Sequence, residues 1–104
     1  MEFSIIQANP DRPAFRDIAF RDLAAGKAVN FDDYTVTYCG TVEADTHDKA
    51  LALLWRQFNL DHPTDFNGRS LSVSDVVLLD EDTLFYCQSA GWQKLTPDQC
   101  EGQF

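Results

Sequence analysis

A segment with helical periodicity, residues 47–58, constrains the fold of this chain more than any other feature. Its apolar residues return at the spacing of one helical face, and they are Ala50, Leu51, Leu54 and Phe58. Leu53 and Trp55 widen this apolar stripe, and a helix this apolar is expected to lie across a sheet. Asp45 or Thr46 is the expected N-cap.

The other apolar segments follow the period of two that is typical of half-buried strands. Residues 34–42 show it most clearly, and the residues expected on the inner face are Tyr34, Val36, Tyr38 and Val42. Gly40 interrupts the alternation, which predicts a β-bulge there. Further strands are predicted at residues 3–8, 76–79 and 84–87. Residues 80–82 form an acidic hairpin loop between two of these strands, and a second turn precedes Trp92.

Together these segments predict one small α+β domain spanning residues 1–104. Its antiparallel β-sheet has about four to five strands, with one main helix packed on one face. Residues 17–25 are predicted to form a short helix that Asp17 caps and Gly26 ends. The polar residues 96–104 are predicted to be a frayed tail.

Acidic residues outnumber basic ones by seventeen to eight, which gives a formal net charge of -9. They are spread along the chain, and each basic residue of the one near cluster, Arg12, Arg16 and Arg21, has an aspartate beside it. Such a surface repels phosphate backbones and anionic lipid headgroups over a Debye length of about 10 Å. We therefore expect no direct binding of nucleic acid and no binding to a membrane.

Few residue types suited to catalysis or metal binding are present. The chain has two histidines, His47 and His62, and its three cysteines lack the short spacings of zinc ligands. Its isolated glycines form no phosphate-binding loop. We expect no metal, no cofactor and no enzymatic activity. We also expect free thiols in a reducing, cytoplasmic compartment, since the first residues lack the pattern of a secretory signal.

Unusual polar residues concentrate in residues 65–75. The candidate binding residues in this segment are Arg69, Ser70, Ser72, Ser74 and Asp75. An alternation with Leu71 and Val73 predicts an extended segment that presents three serine hydroxyls on one side. In the structural interpretation, which we favour, Asp75 and the hydroxyls bond the backbone of a tight connection. In the functional interpretation, Arg69 and the serine row form a rigid polar surface that a partner recognises.

One set of motifs resembles a known family. Its residues are Phe58-Asn59, Pro63, Gly68-Arg69-Ser70-Leu71-Ser72-Val73-Ser74-Asp75-Val76-Val77, Phe85-Tyr86 and Ser89-Ala90-Gly91-Trp92, together with the upstream Tyr34, Tyr38 and Gly40. Over about residues 3–95 this pattern resembles the YodL-like domain. We expect the family to carry an aspartate where this chain has Gln88.

The resemblance implies a setting and no catalytic residues. The YodL-like domain occurs in small proteins and in multidomain proteins of conjugative elements and phages. It implies an accessory role in counter-defence or in transfer of the element, inside a bacterial cytoplasm.

Three functions follow from these observations. The first is a non-enzymatic accessory module of a mobile genetic element that binds an unknown protein partner. An alternative is an acidic DNA mimic that blocks a host nucleic-acid-binding enzyme. A second alternative is a small hydrolase or transferase that uses Ser72 or Cys39, for which the sequence offers no complete site. The oligomeric state stays open.

Overall fold

An antiparallel sheet of five strands forms the centre of the computed structural model, which describes residues 1–103. In chain order the strands are β1 (Glu2–Ala8), β2 (Val29–Asn30), β3 (Tyr34–Thr41), β4 (Val76–Leu79), β5 (Thr83–Gln88), β6 (Gly91–Lys94) and β7 (Cys100–Glu101). The helices are α1 (Phe15–Ile18) and α2 (His47–Leu60). The sheet has the order β3-β1-β4-β5-β6, while β2 and β7 form a separate parallel ladder. This architecture confirms the predicted α+β fold with one main helix.

The helix α2 covers one face of the sheet through the residues that its periodicity predicts. Its buried residues are Ala50, Leu51, Leu54 and Phe58. Thr46 is the N-cap, since its hydroxyl accepts a hydrogen bond from the Lys49 amide at 3.2 Å. Asp45 instead forms an ion pair with the Lys49 ammonium at 3.1 Å. The loop after α2 also contributes to this core, because Phe66 is buried with its ring centroid 4.9 Å from that of Phe58.

The predicted bulge in β3 lies three residues earlier than Gly40. Ile5 of β1 pairs with Tyr38 while Ile6 pairs with Val36, so Thr37 is the extra residue. Gly40 pairs in register with Phe3, against whose ring it packs. The bulge changes the side-chain parity of the strand. Tyr34 and Tyr38 therefore join different cores. Val36, which precedes the bulge and was predicted to face inward, is 39% exposed on the edge strand β3.

The second face of the sheet is buried as well, although within residues 1–103 only the short helix α1 lies over it. An irregular segment, residues 9–33, and the C-terminal residues lie over this face. The buried residues here are Ile6, Ala8, Ala19, Val29, Phe31, Tyr34, Val76, Tyr86 and Leu95. The sheet is thus the middle layer between a helix and a loop layer.

The predicted helix over residues 17–25 is wrong. The helix α1 ends at Ile18, and Phe20 then adopts a left-handed backbone conformation with φ of 64°. Ala14 rather than Asp17 occupies the N-cap position. Beyond α1 the backbone amides of Phe20 and Leu23 donate to the side chains of Ser74 and Gln88, at 3.0 and 2.8 Å, instead of to carbonyl oxygens of a helix.

The C-terminal segment also departs from the predicted frayed tail of residues 96–104. Pro97–Gln99 form a 3-10 turn, in which the Thr96 amide donates to the Gln99 side chain at 3.0 Å. The strand β7 then pairs with β2. The last residue, Phe104, lies outside the described residues. No helix within residues 1–103 is both long and apolar enough to cross a membrane.

Candidate functional site

The serine-rich segment forms a turn before β4 and not the predicted extended row. The Asp75 amide donates to the Ser72 carbonyl oxygen at 3.1 Å, and Ser74 between them has a φ of 86°. The Ser74 amide donates to the Cys87 carbonyl oxygen at 3.0 Å, which holds the turn against β5. As a result, the three serines do not share one side. Ser70 is exposed, Ser72 is half-buried and Ser74 is buried.

Asp75 lies at the centre of this region and is fully buried. Its Oδ2 atom accepts hydrogen bonds from the Gln7 side-chain amide at 3.1 Å and from the Ser72 backbone amide at 2.9 Å. The guanidinium of Arg69 lies 4.0 Å from Oδ1. Burial raises the pKa of the Asp75 carboxyl to about 6, although Gln7, Ser72 and Arg69 each favour its ionised form.

Arg69 connects Asp75 to an aromatic surface. Its Nη2 atom donates to the Ala8 carbonyl oxygen at 3.2 Å, and its own carbonyl oxygen accepts from the Gln7 amide at 2.9 Å. The guanidinium carbon lies 5.3 Å from the ring centroid of Phe15 and 5.7 Å from that of Phe20. Both distances are within the range of cation–π attraction. The cation is therefore shared between one carboxylate and two aromatic rings.

Four buried polar atoms of this region have no hydrogen-bond partner within residues 1–103: Gln7 Oε1, Arg69 Nε, Ser72 Oγ and Asp75 Oδ1. We call Gln7, Arg69, Ser72 and Asp75 the polar corner. Gly68 allows this packing, because a Cβ atom there would collide with Gln7 Oε1 and would lie 2.7 Å from the Phe66 ring. Buried polar atoms without partners are costly, so the polar corner adds less stability than a satisfied network.

Phe20 is the exposed neighbour of the polar corner. Its side chain is 57% exposed, and its amide donates to the Ser74 Oγ atom at 3.0 Å. Phe20 and Ser74 both adopt positive φ values, which non-glycine residues rarely do. Tyr34 secures Ser74, because its hydroxyl donates to the Ser74 carbonyl oxygen at 2.9 Å. The surrounding hydrogen bonds thus hold Phe20 in an unfavourable conformation with its ring in solvent. We call Phe15, Phe20 and Arg69 the Phe20 surface.

The structure brings together some of the predicted site residues. Arg69, Ser72 and Asp75 meet in the polar corner, Ser74 supports Phe20, and Ser70 makes no hydrogen bond within residues 1–103. Gln7 and both phenylalanines of the Phe20 surface were not predicted from the sequence. One signal in the sequence could have identified Gln7, since it is a polar residue between the apolar residues Ile6 and Ala8 of a predicted strand.

The residues considered for catalysis or metal binding have structural contacts. The His47 ring packs edge-on against Phe85 at 5.3 Å, and the His62 Nδ1 atom lies 2.9 Å from the Pro63 carbonyl oxygen. No hydrogen bond within residues 1–103 joins either histidine to Ser72 or Cys39. In the same residues, no three His, Cys, Asp or Glu side chains are grouped to hold a metal ion.

All three cysteines are free, as predicted. Cys87 is the buried one, and burial raises the pKa of its thiol to about 11. The thiol therefore stays protonated at neutral pH, and a protonated thiol is a poor nucleophile.

Comparison with known proteins identifies the family. The family model of the YodL-like domain matches residues 2–97. The chain belongs to the YodL-like domain family. No curated protein and no solved structure matches this chain. The matched region of this YodL-like domain includes the polar corner, the Phe20 surface and all five strands of the central sheet.

Gln88, where we expect other YodL-like domains to carry an aspartate, has a structural role here. Its Oε1 atom accepts from the Leu23 amide at 2.8 Å, and its Nε2 atom donates to Gln93 Oε1 at 2.7 Å. An ionised carboxylate accepts hydrogen bonds and donates none, so an aspartate could not donate to Gln93.

Proposed function

We propose that this YodL-like domain is a non-enzymatic accessory module of a mobile genetic element that binds a protein partner in the bacterial cytoplasm. In this proposal the Phe20 surface contacts the partner, and the polar corner beneath it fixes the contact geometry. The family implies the setting, which is counter-defence or transfer of the element.

The conformation of Phe20 carries this proposal. A bulky residue in the left-handed region costs roughly 1 to 3 kcal/mol, and such strain persists only where the surroundings impose it. Here the Ser74 hydroxyl imposes it, at a residue whose ring is 57% exposed and therefore gives little back through burial. Exposed aromatic rings next to arginine are also typical of the centres of protein interfaces. Display to a partner explains why the fold maintains this arrangement.

The charges of the molecule favour a protein partner over nucleic acid. The net charge is -9, and Arg69 is already engaged by the Phe15 and Phe20 rings and by the Ala8 carbonyl oxygen. Arg12, another basic residue of this side of the molecule, forms an ion pair with Asp33 at 3.3 Å. Both arginines would give up these contacts to neutralise a phosphate, which is the main source of affinity for nucleic acid.

The test is affinity capture from a lysate of the native host, treated with nuclease, on immobilised wild-type protein and two variants. Phe20→Ala removes the displayed ring, and Leu60→Ala is the matched control because Leu60 is 79% exposed at the end of α2. We expect the wild type and Leu60→Ala to retain the same proteins and Phe20→Ala to lose them. Equal retention by all three proteins would refute the Phe20 surface. If the lost protein is a nucleic-acid enzyme, competition with short duplex DNA will identify a DNA mimic.

A second measurement tests the expected lack of nucleic-acid binding. Short duplex DNA, single-stranded DNA and RNA are titrated at about 50 mM salt, where weak electrostatic binding is favoured. We expect no detectable binding. Micromolar affinity for any of them, weakening as salt is raised, would overturn both the protein-partner proposal and the mimic.

A further inference from the structure

A groove between α2 and the strands β5 and β6 lies apart from the Phe20 surface. Its volume is about 410 Å³, and its lining includes Asp48, Ala52, Trp55, Cys87, Gln88 and Trp92. Asp48, Ala52 and Trp55 follow one another at helical spacing, so they form one stripe of α2 that faces Trp92 on β6. Trp92 is half-buried and packs against the core of this side, whereas Trp55 is not part of that core and lies exposed beside it.

The two indole rings meet at nearly a right angle. Their centroids are 6.4 Å apart and their planes are inclined by 85°, so they form two walls of a corner. Trp55 is 42% exposed, and the small side chain of Ala52 leaves the groove open beside it. Asp48, an exposed acidic residue, lines the same groove. Ring faces carry partial negative charge, and tryptophan attracts cations most strongly among the aromatic residues.

We propose that this tryptophan groove binds the cationic side chain of a basic segment in a partner protein. The cation lies against the indole rings, and the Asp48 carboxylate opposes its charge. The net charge of -9 attracts such a segment over a longer range. The inference rests on the proposed protein-binding function for the source of the segment, but the groove and its test do not involve the Phe20 surface.

The surface next to the groove suits the rest of such a segment. A shallow depression continues past Ala52 to Leu53, Glu43 and Asp45. Leu53 is 46% exposed and offers an apolar contact, while Glu43 favours a further basic side chain. Lys49, the basic residue in this depression, is paired with Asp45 at 3.1 Å. A segment that carries both basic and apolar residues therefore complements the whole surface.

Tryptophan fluorescence reports on this groove alone, because the two tryptophans of the chain both line it. The probe is a capped tetralysine peptide, compared with capped tetraglutamine and tetraglutamate of the same length. We expect a saturable change in fluorescence with tetralysine that weakens as salt is raised. Neither of the other peptides should produce it. The absence of a saturable change, or an equal change with tetraglutamine, would overturn the proposal.

Two variants separate cation–π attraction from simple charge. Trp55→Leu keeps an apolar side chain but removes one ring, so it should weaken tetralysine binding by roughly three- to tenfold, with Trp92 as the remaining reporter. Asp48→Asn should weaken it by about two- to fivefold. Asp98→Asn changes the net charge equally at the Pro97–Gln99 turn and is the matched control. Unchanged binding by Trp55→Leu, or equal losses from the two aspartate variants, would show nonspecific attraction and refute the groove.

Phe20→Ala distinguishes this inference from the proposed function. It should bind tetralysine like the wild type, since Phe20 does not line the groove. Loss of peptide binding only in the groove variants supports the inference whatever the capture experiment shows. Normal capture by the Phe20 surface with no tetralysine binding would refute the groove alone. Asp48 is exposed, so Asp48→Asn remains informative if Trp55→Leu fails to fold.

Discussion

The helix side of the sheet and the polar corner are both buried, but different forces hold them. Leu54 and Phe58 of α2 are fully buried against Ile5 and Val77 of the sheet in an apolar core. Burial of this kind has no directional requirement and stabilises in proportion to the apolar area removed from water. The polar corner instead depends on individual hydrogen bonds at set distances, and four of its buried polar atoms have no hydrogen-bond partner among residues 1–103. The first region supplies stability, and the second supplies one fixed geometry at some cost in stability.

The difference indicates where function and stability separate in this molecule. Substitutions on the helix side should act through the free energy of unfolding. Substitutions at the Phe20 surface should act through binding, because Phe20 contributes little burial and lies in an unfavourable backbone conformation. Substitutions in the polar corner should affect both stability and binding, since Asp75 supports both the turn and its neighbour Arg69.

The largest effect is expected on the helix side. Leu54→Ala should lower the free energy of unfolding by about 2 to 5 kcal/mol, since it removes a fully buried side chain and leaves a cavity. Lys49→Ala should change it by less than about 1 kcal/mol, because its ion pair with Asp45 is exposed. Urea denaturation followed by circular dichroism measures both. Equal effects would show that the wrong face of α2 had been assigned to the core.

The next largest effect is a dependence of stability on pH. Burial raises the pKa of Asp75 from 3.8 to about 6 in the folded state, so the folded protein holds this proton more tightly than the unfolded chain. The resulting stabilisation is fully present below pH 3.8, is lost as pH rises through about 6, and amounts to about 3 kcal/mol.

Asp75→Asn is the control for this dependence, because it removes the titrating group while the other acids stay. From pH 7 to pH 4 the wild type should gain stability relative to Asp75→Asn, as measured by urea denaturation at each pH. A stability difference that stays constant, or that changes in favour of Asp75→Asn, would show that the Asp75 carboxylate is not disfavoured by burial.

A smaller loss is expected for Asp75→Ala at neutral pH. The substitution removes the acceptor of the Ser72 amide and one of the two acceptors of the Gln7 side-chain amide, which costs about 1 to 3 kcal/mol. The loss of a buried charge offsets part of this cost. Denaturation and capture of the partner should be measured on the same sample. Unchanged denaturation with lost capture would make Asp75 a binding residue instead of a structural one.

The smallest expected change in stability comes from Glu81→Gly, which measures the free-energy cost of a left-handed backbone conformation. Glu81, at the exposed hairpin tip, has a φ of 63°, and its side chain makes no hydrogen bond or ion pair within residues 1–103. Glu81→Gly should therefore stabilise the protein by up to about 1 kcal/mol in thermal denaturation. A loss of stability would remove the argument that the similar conformation of Phe20 is unfavourable.

The sequence predicted the helix side of the fold because apolar periodicity is a local property. The spacing of Leu51, Leu54 and Phe58 fixed the buried face of α2, and β4 was predicted with its observed bounds, Val76–Leu79. The loop layer and the bulge at Thr37 could not be predicted in this way. They depend on bonds between distant residues, such as that from the Phe20 amide to Ser74, for which no periodic pattern exists.

The candidate site was predicted in part for the same reason. Arg69, Ser72 and Asp75 lie close together in the sequence and could be identified as a unit. Gln7 and Phe20 join them only through the fold, across sequence separations of 68 residues between Gln7 and Asp75 and 54 between Phe20 and Ser74. A polar residue in a buried strand and an exposed aromatic ring each become informative once the structure shows what they contact.

Amide hydrogen exchange of the domain, alone and with its captured partner, tests most directly whether the Phe20 surface is the binding surface. The amides of residues 15–22 and 69–70 belong to this surface or adjoin it. We predict that partner binding slows exchange in both segments, because contact excludes water from them and suppresses their local opening. Exchange that stays unchanged in both segments while the complex is intact would contradict the account.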